Sequence, residues 1–246
     1  MIFVEIFFTT LIATTLSAMS GGGSSLMNIP IFLSLGISFP LATFIQKLSS
    51  AFWVLPSAYN YLKSKKLEWN FVIWWWLLGT IGVYLGVIFV IETNQRILEL
   101  LVGIIILFLV IYVTFKKDLG LMEKKVSKRM KILSYIFAPF LGFYESFFGS
   151  ANGIAFAIVN IKTRGFDFKD SLGYYFLVAF PWEIVAVAIF IQKGIFDIGL
   201  AIPSILGSFV GGYIGSKYAS SKGNKFIKIC FVTIGSVLGL KLLLGL

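Results

Sequence analysis

Apolar residues run in blocks long enough to cross a bilayer, near 2–20, 40–62, 71–91, 97–115, 132–148, 171–191, 195–216 and 226–245, with polar turns between them. Each block approaches the roughly 20 residues that a helix needs to span about 30 Å of hydrocarbon. In that solvent every backbone N–H and C=O must find its partner inside the protein. Continuous apolar blocks satisfy them as helices, whereas the strands of a barrel would alternate in polarity. The predicted fold is therefore all-α, a polytopic membrane helical bundle. With 58% hydrophobic and 13% charged residues, the chain has too few charges to cover a water-soluble globule of 246 residues. The first block lacks a basic stretch before it, and its counterpart at 132–148 must be retained. Residues 2–20 are therefore read as part of the mature bundle rather than as a cleaved signal.

The blocks are also duplicated. Shifting residues 20–103 by 129 positions lays the first half on the second without a gap: Gly36 falls on Gly165, Glu68 on Asp197, Gly82 on Gly211, Tyr84 on Tyr213 and Gly86 on Gly215. Each copy opens on an apolar segment broken by small residues, SGGGSS at 20–25 and GSANG at 149–153. Paired broken helices at corresponding positions are the mark of a secondary transporter. The expected organisation is a first transmembrane repeat at 1–115, a basic linker at 116–131 and a second repeat at 132–246.

Lysines set the orientation. The linker carries Lys116, Lys117, Lys124, Lys125, Lys128, Arg129 and Lys131 against Asp118 and Glu123, which predicts a cytoplasmic loop and a multi-pass protein of the cell membrane. Counting back one span at a time puts 92–96 outside, Lys63, Lys65 and Lys66 inside, and the uncharged turn at 36–40 outside. If the second broken segment were a single crossing, Lys162, Arg164, Lys169, Lys217, Lys222, Lys225 and Lys228 would all face outward. If its two arms return to the side where they began, all seven face the cytoplasm, and only Lys193 and Lys241 do not. The second repeat is then inverted relative to the first. The arms after the breaks, about 24–36 and 153–163, would rise only roughly 16–20 Å as helices. The expectation is thus one glycine-broken re-entrant hairpin and three full transmembrane helices per repeat. The net charge of +10 belongs to these short loops and to orientation, so no nucleic-acid partner is expected.

The breaks carry the candidate chemistry. Gly21, Gly22 and Gly23 permit positive φ and close backbone approach, Ser24 and Ser25 can cap the helix that follows, and Gly149, Ser150, Asn152 and Gly153 offer the same options in the second copy. Inversion would aim both half-helix N-termini, with their unpaired N–H groups, at one midplane cavity suited to an anion. The alternative is that these glycines serve only close packing. Lys47 is the basic residue deepest inside a block, where an ammonium costs a few kcal/mol unless paired or hydrated. It would neutralise the bound anion, or else form a structural ion pair with Glu145 or Glu183. Those two acids lie equally deep and could carry a coupling proton or serve as counter-ions. Gly79, Gly82, Gly86, Gly207, Gly211, Gly212 and Gly215 form small-residue ridges for helix contact, and Trp74, Trp75 and Trp76 an interfacial belt.

Other chemistry is poorly supplied. Cys230 is alone, histidine is absent and the acids are scattered, which excludes histidine-dependent triads and the usual zinc sites. No GxxxxGK[ST] motif provides for ATP. No cofactor is expected, and the partners are a small anion, the lipid bilayer, and H+ or another coupling ion. A passive anion channel is the main alternative to a carrier. An intramembrane enzyme using a Ser/Lys dyad at Lys47 is the rival from another class.

Several stretches resemble the sulfite exporter TauE/SafE family, also called toluene-sulfonate uptake permeases. They are GGGSSLMNIP with Pro30, then Gly36; the family's Asn-Lys-Leu signature, represented by Gln46, Lys47 and Leu48; GFYESFFGSANG with Glu145 at the acidic place; and GSKYASSKGNKFIK before the last block. The similarity covers nearly the whole chain. It implies a permease for sulfite, sulfonate, thiosulfate or a related organosulfur anion working by alternating access. Against the family pattern, Ser17 stands where an acid often precedes the first break, Gln46 replaces Asn, Phe176 stands where a lysine often occurs, and Glu183 where an asparagine does. One lysine fewer and one carboxylate more make the cavity less suited to an anion, which implies a different or a proton-linked substrate.

Overall fold

A computed structural model describes residues 2–146 and 151–245, save the side chain of Gln95. The described residues form helices and no strands. In chain order these are α1 (Ile2–Ser20), α2 (Ser24–Ser34), α3 (Phe39–Leu62), α4 (Trp69–Glu92), α5 (Gln95–Phe115), α6 (Lys128–Leu133), a 3-10 turn (Ser134–Phe137), α7 (Ala138–Ser146), α8 (Asn152–Thr163), α9 (Phe168–Gln192), α10 (Ile198–Lys222) and α11 (Asn224–Leu244). Among the described residues, six helices are long and apolar enough to cross a membrane: α1, α4, α5, α9, α10 and α11. The chain is a multi-pass membrane protein. Helix α3 is 24 residues long, and its buried side carries Gln46, Lys47, Ser49, Ser50, Ser57 and Asn60. A span this polar must be shielded from lipid by its neighbours, and it packs against α9 and α10.

The breaks make hairpins. Helix α2 folds back along α1, so that Val4 and Glu5 share a cavity wall with Ser34 and Leu35. Helix α8 returns likewise, bringing Arg164 over the ring of Tyr135. The arms are unequal. Helix α1 has 19 residues, about 28 Å of rise, while α2 has 11, about 16 Å. In the second copy the first arm is itself divided into α6, the 3-10 turn and α7.

Equivalent helices meet across the interface between the two halves. Lys47 of α3 lies beside Glu183 of α9 while Leu62 lies beside Gly173, so these two helices run antiparallel. Helices α5 and α11 do the same, with Arg96 reaching the carbonyls of Leu242 and Leu243 at one end and Lys228 those of Lys116 and Lys117 at the other. Each hairpin's first arm instead packs against the other half, α1 on α10 and α7 on α4. The glycine ridges make this possible. A Cβ on Gly82 would sit 1.8 Å from the Pro139 carbonyl oxygen, and one on Gly211 would sit 2.4 Å from that of Leu11. Backbones this close pack only where no side chain intervenes.

These contacts also amend the gap-free register. Gly86 faces the Phe143 carbonyl as Gly215 faces that of Thr15, a spacing of 128 rather than 129. The extra residue falls inside α8, which has 12 residues where α2 has 11. Apolar helices of unequal length read alike in one dimension, and only the packing partner fixes the offset.

The ends of the bundle differ in charge. One end gathers Lys63, Lys65, Lys66, the linker and the starts of α9 and α11. There Lys65 pairs with Glu123 of the linker and Asp170 of α9, and Glu68 with Arg164. Partial burial works against the Lys65 charge, but its bonds to Asp170 and Glu123 prevail and hold its pKa above the ordinary lysine value. The bond from Lys65 in turn holds the Glu123 carboxyl below its usual value. At the opposite end, Arg96 caps α11 and pairs with Glu99.

Candidate functional site

Three consecutive glycines end α1. Gly21, Gly22 and Gly23 take φ of 87°, 130° and 120°, a run that side-chain-bearing residues rarely adopt. The chain thereby turns back within three residues, and α2 starts at Ser24 inside the protein. The Ser24 N–H donates across the break to Ser17 Oγ at 3.2 Å. From α3, Gln46 Nε2 donates to Ser24 Oγ at 3.0 Å and to Ser50 Oγ at 3.1 Å, while its Oε1 accepts from Asn28 Nδ2 at 2.7 Å. Gln46 thus pins the head of α2 to the polar face of α3. Ser25 is buried beside it.

The second break repeats this staple with different chemistry. Gly149 and Ser150, two of the expected donors, lie outside the described residues. Ala151 holds φ 58° at the start of α8. Asn152 Nδ2 donates back to the Leu141 carbonyl at 3.1 Å and to Glu145 Oε2, which also accepts from Tyr175 Oη at 2.9 Å. Glu145 and Asn152 correspond to Ser17 and Ser24 in the 128-residue register, so a carboxylate replaces a hydroxyl in the same place.

The two breaks meet. A Cβ on Gly153 would lie 2.3 Å from the Gly21 carbonyl oxygen, and one on Gly21 would strike the side chains of Leu172 and Ile154. Beside this contact Lys47 Nζ donates to the Glu145 carbonyl at 2.6 Å, and lies 3.8 Å from Glu145 Oε1 and 3.2 Å from Glu183 Oε2. Lys47, Glu145 and Glu183 are only 2–3% exposed. One ammonium therefore faces two carboxyls at a closed junction between the halves. Among the described residues, Glu183 depends on Lys47 more than Glu145 does, since Glu183 Oε2 has no hydrogen bond beyond the ion contact. Among the described residues, the buried Asn28 and Asn152 amide oxygens find no donor.

Of the residues singled out from sequence, Gly21, Gly22, Gly23, Ser24, Ser25, Gln46, Lys47, Glu145, Asn152, Gly153 and Glu183 all lie around this junction. Lys47 meets both acids at once, where one partner was expected. Asn28 and Tyr175 join this junction, through Gln46 and Glu145, and were not anticipated. Asn28 could have been found as a lone amide one turn beyond Ser24 in an apolar half-helix. Tyr175 offered less signal, because it sits among aromatics. Phe176, the repeat equivalent of Lys47, packs its ring against Trp53 at 5.1 Å, Tyr175 at 5.2 Å and Tyr61 at 5.8 Å. The α3–α9 crossing is thus ionic at one end and aromatic at the other.

The family model described as Sulfite exporter TauE/SafE matches residues 6–242. The chain is 24% identical over 243 residues to a Haemophilus influenzae protein named "Probable membrane transporter protein", covering 96% of this chain and 92% of that one. It is 24% identical to "Probable membrane transporter protein ORF9" of Sinorhizobium sp, over 97% of this chain and 91% of the relative. It is 25% identical to "Probable membrane transporter protein YfcA" of Escherichia coli K12, over 97% and 88%. No solved structure matches it significantly.

Proposed function

This chain belongs to the sulfite exporter TauE/SafE family and is a membrane transporter; from that premise we propose that it is a secondary carrier of a small organosulfur anion such as sulfite, sulfonate or thiosulfate. Its binding site is the junction of the two breaks. The observation that carries this reading is Lys47, held between Glu145 and Glu183 where the Gly153 backbone touches that of Gly21.

The site binds by exchange. In the closed conformation the carboxyls occupy the positive charge that an anion would need. Adding a proton to one carboxyl releases one of the two claims on Lys47, and an anion then takes that place with no net change in buried charge. Transport of the anion is therefore linked to a proton through Glu145 or Glu183. Gly21, Gly22, Gly23, Ser24 and Ser25 on one side, and Gly149, Ser150, Asn152 and Gly153 on the other, supply backbone and side-chain donors to the anion, with Gln46 positioning Ser24.

The two halves are inverted repeats that expose this junction alternately to either side. The antiparallel pairing of α3 with α9 and of α5 with α11 supports inversion, because a two-fold axis relating antiparallel spans lies in the membrane plane. The lysine-rich end faces the cytoplasm, including linker 116–131.

Flux in reconstituted vesicles tests the reading. Sulfite, thiosulfate or sulfonate uptake should saturate, respond to an imposed pH gradient and vanish in Lys47→Ala. Flux unchanged by Lys47→Ala would overturn the site, and stabilisation of the purified protein by carboxylates but by no sulfur anion would overturn the substrate class.

A further inference from the structure

The linker between the halves is not loose chain. Lys228 Nζ donates to the carbonyls of Lys116 and Lys117 at 2.5 and 2.7 Å, the Gly120 carbonyl accepts from Phe168 N at 2.9 Å, Asn224 Nδ2 donates to the Leu121 carbonyl at 3.1 Å, and Lys124 N to the Gly165 carbonyl at 2.7 Å. Pinned this way, the linker forms one wall of a cavity of about 670 Å³ whose other walls are the end of α5 and the end of α8.

Lys116, Lys117, Lys124, Lys125 and Lys162 line this cavity, with Asp118 the one acid among the described lining residues and Lys162 Nζ 4.7 Å from the centre of the Tyr112 ring. Among the described residues none of the five is in a salt bridge. Nearby cations behave otherwise: Lys65 and Arg164 each find an acid. Five lysines gathered around one concavity make it electropositive, and a multivalent anion is what would offset them.

The rest of the lining narrows the class of anion. Tyr112 and Phe115 form an apolar wall, and Phe115 is 80% exposed. They continue an exposed apolar track along α5 through Phe108 and Ile111. A soluble phosphate has no use for such a track, whereas an acyl chain does.

We propose that this cavity is a binding site for the phosphate headgroup of an anionic phospholipid, with its acyl chain lying along α5. Among the described residues, neither Lys47 nor any residue beside the breaks lines it, so it is separate from the proposed transport site. Occupancy ties the linker to the outer end of α8, whose inner end is the second break.

Native mass spectrometry of the delipidated full-length protein, titrated with phosphatidylglycerol or phosphatidylcholine, reads the site directly. Wild type should hold one phosphatidylglycerol far more tightly than phosphatidylcholine. Lys117→Gln/Lys124→Gln/Lys125→Gln should weaken it on the order of 100-fold, at about a factor of five per lysine. Lys217→Gln/Lys222→Gln/Lys225→Gln, with the same charge removed outside the cavity, should bind as wild type does. Equal loss in both variants, no preference over phosphatidylcholine, or displacement by millimolar inorganic phosphate would overturn the assignment. Photo-crosslinking of a diazirine-bearing phosphatidylglycerol to unmodified protein gives a readout independent of variant folding. Adducts should map to 112–126 and 161–162, and adducts only elsewhere would refute the site.

Discussion

Replacing Lys47 by Met takes away the ammonium and leaves both buried carboxyls in place. Removing one partner of a buried ion pair costs about 3–5 kcal/mol, because the other is left uncompensated. The geometry says where that cost falls. Glu145 keeps its bonds from Asn152 and Tyr175, but Glu183 keeps none to Oε2. Glu183→Gln in the wild-type background is milder, about 1–2 kcal/mol, since Lys47 retains the Glu145 carbonyl at 2.6 Å and Oε1 at 3.8 Å. In the Lys47→Met background the same change removes the stranded charge, so the double variant should recover about 2 kcal/mol or more of the single variant's loss. Denaturation by SDS in mixed micelles, followed by helical circular dichroism, measures all four corners of this cycle. A Lys47→Met protein that unfolds within about 1 kcal/mol of wild type, or one rescued better by Glu145→Gln than by Glu183→Gln, would refute this ionic arrangement.

Two further outcomes follow from packing and charge. Gly82→Ala forces a methyl against the Pro139 and Phe143 backbones at 1.8 and 2.6 Å and should cost at least 1–3 kcal/mol, whereas Gly199→Ala, whose nearest neighbour is Asp197 Oδ1 at 3.3 Å, should stay within about 0.5 kcal/mol; equal thermal midpoints for the two would refute the close α4–α7 contact. Glu123 is more than half exposed, so its pairing with Lys65 contributes under about 1 kcal/mol. Its pKa is lowered on folding, so that contribution is present above the ordinary value of 4.5 and is lost as pH falls through the depressed value. Glu123→Gln should therefore lower stability slightly at pH 7, with the difference closing under acid conditions below pH 4.5, and a difference that grows on acidification would contradict the pairing.

Sequence patterning carried the helical class and the membrane setting, and it named most of the residues that meet at the candidate junction. Blocks of about 20 apolar residues and doubled glycine breaks are local signals, and the helices that formed lie within a few residues of them. What escaped was relational. Nothing local distinguishes Lys47 facing one acid from Lys47 facing two, because that depends on how α3 crosses α9. Tyr175 enters the site only through the rotation of α9, and its neighbour Phe176 enters an aromatic cluster through the same rotation. The extra residue in α8 was hidden because a helix tolerates one more residue without changing its composition.

Among the described residues, the ion pairs that join the two halves at the lysine-rich end have no counterpart at the other, where Arg96 pairs with Glu99 of its own helix. The repeat equivalents of Lys65, Asp170, Glu68 and Arg164 are Gly194, Leu41, Asp197 and Leu35, which leave one acid and no cation. For a carrier whose halves trade places, the empty protein would not divide its time evenly. If the halves alternate as proposed above, parting the lysine-rich end would break two ionic contacts that parting the other end would not, and the unloaded molecule would rest facing away from the lysines. Such a cycle would have a home position written into the departure from symmetry, and cargo arriving on the opposite side would find the protein waiting.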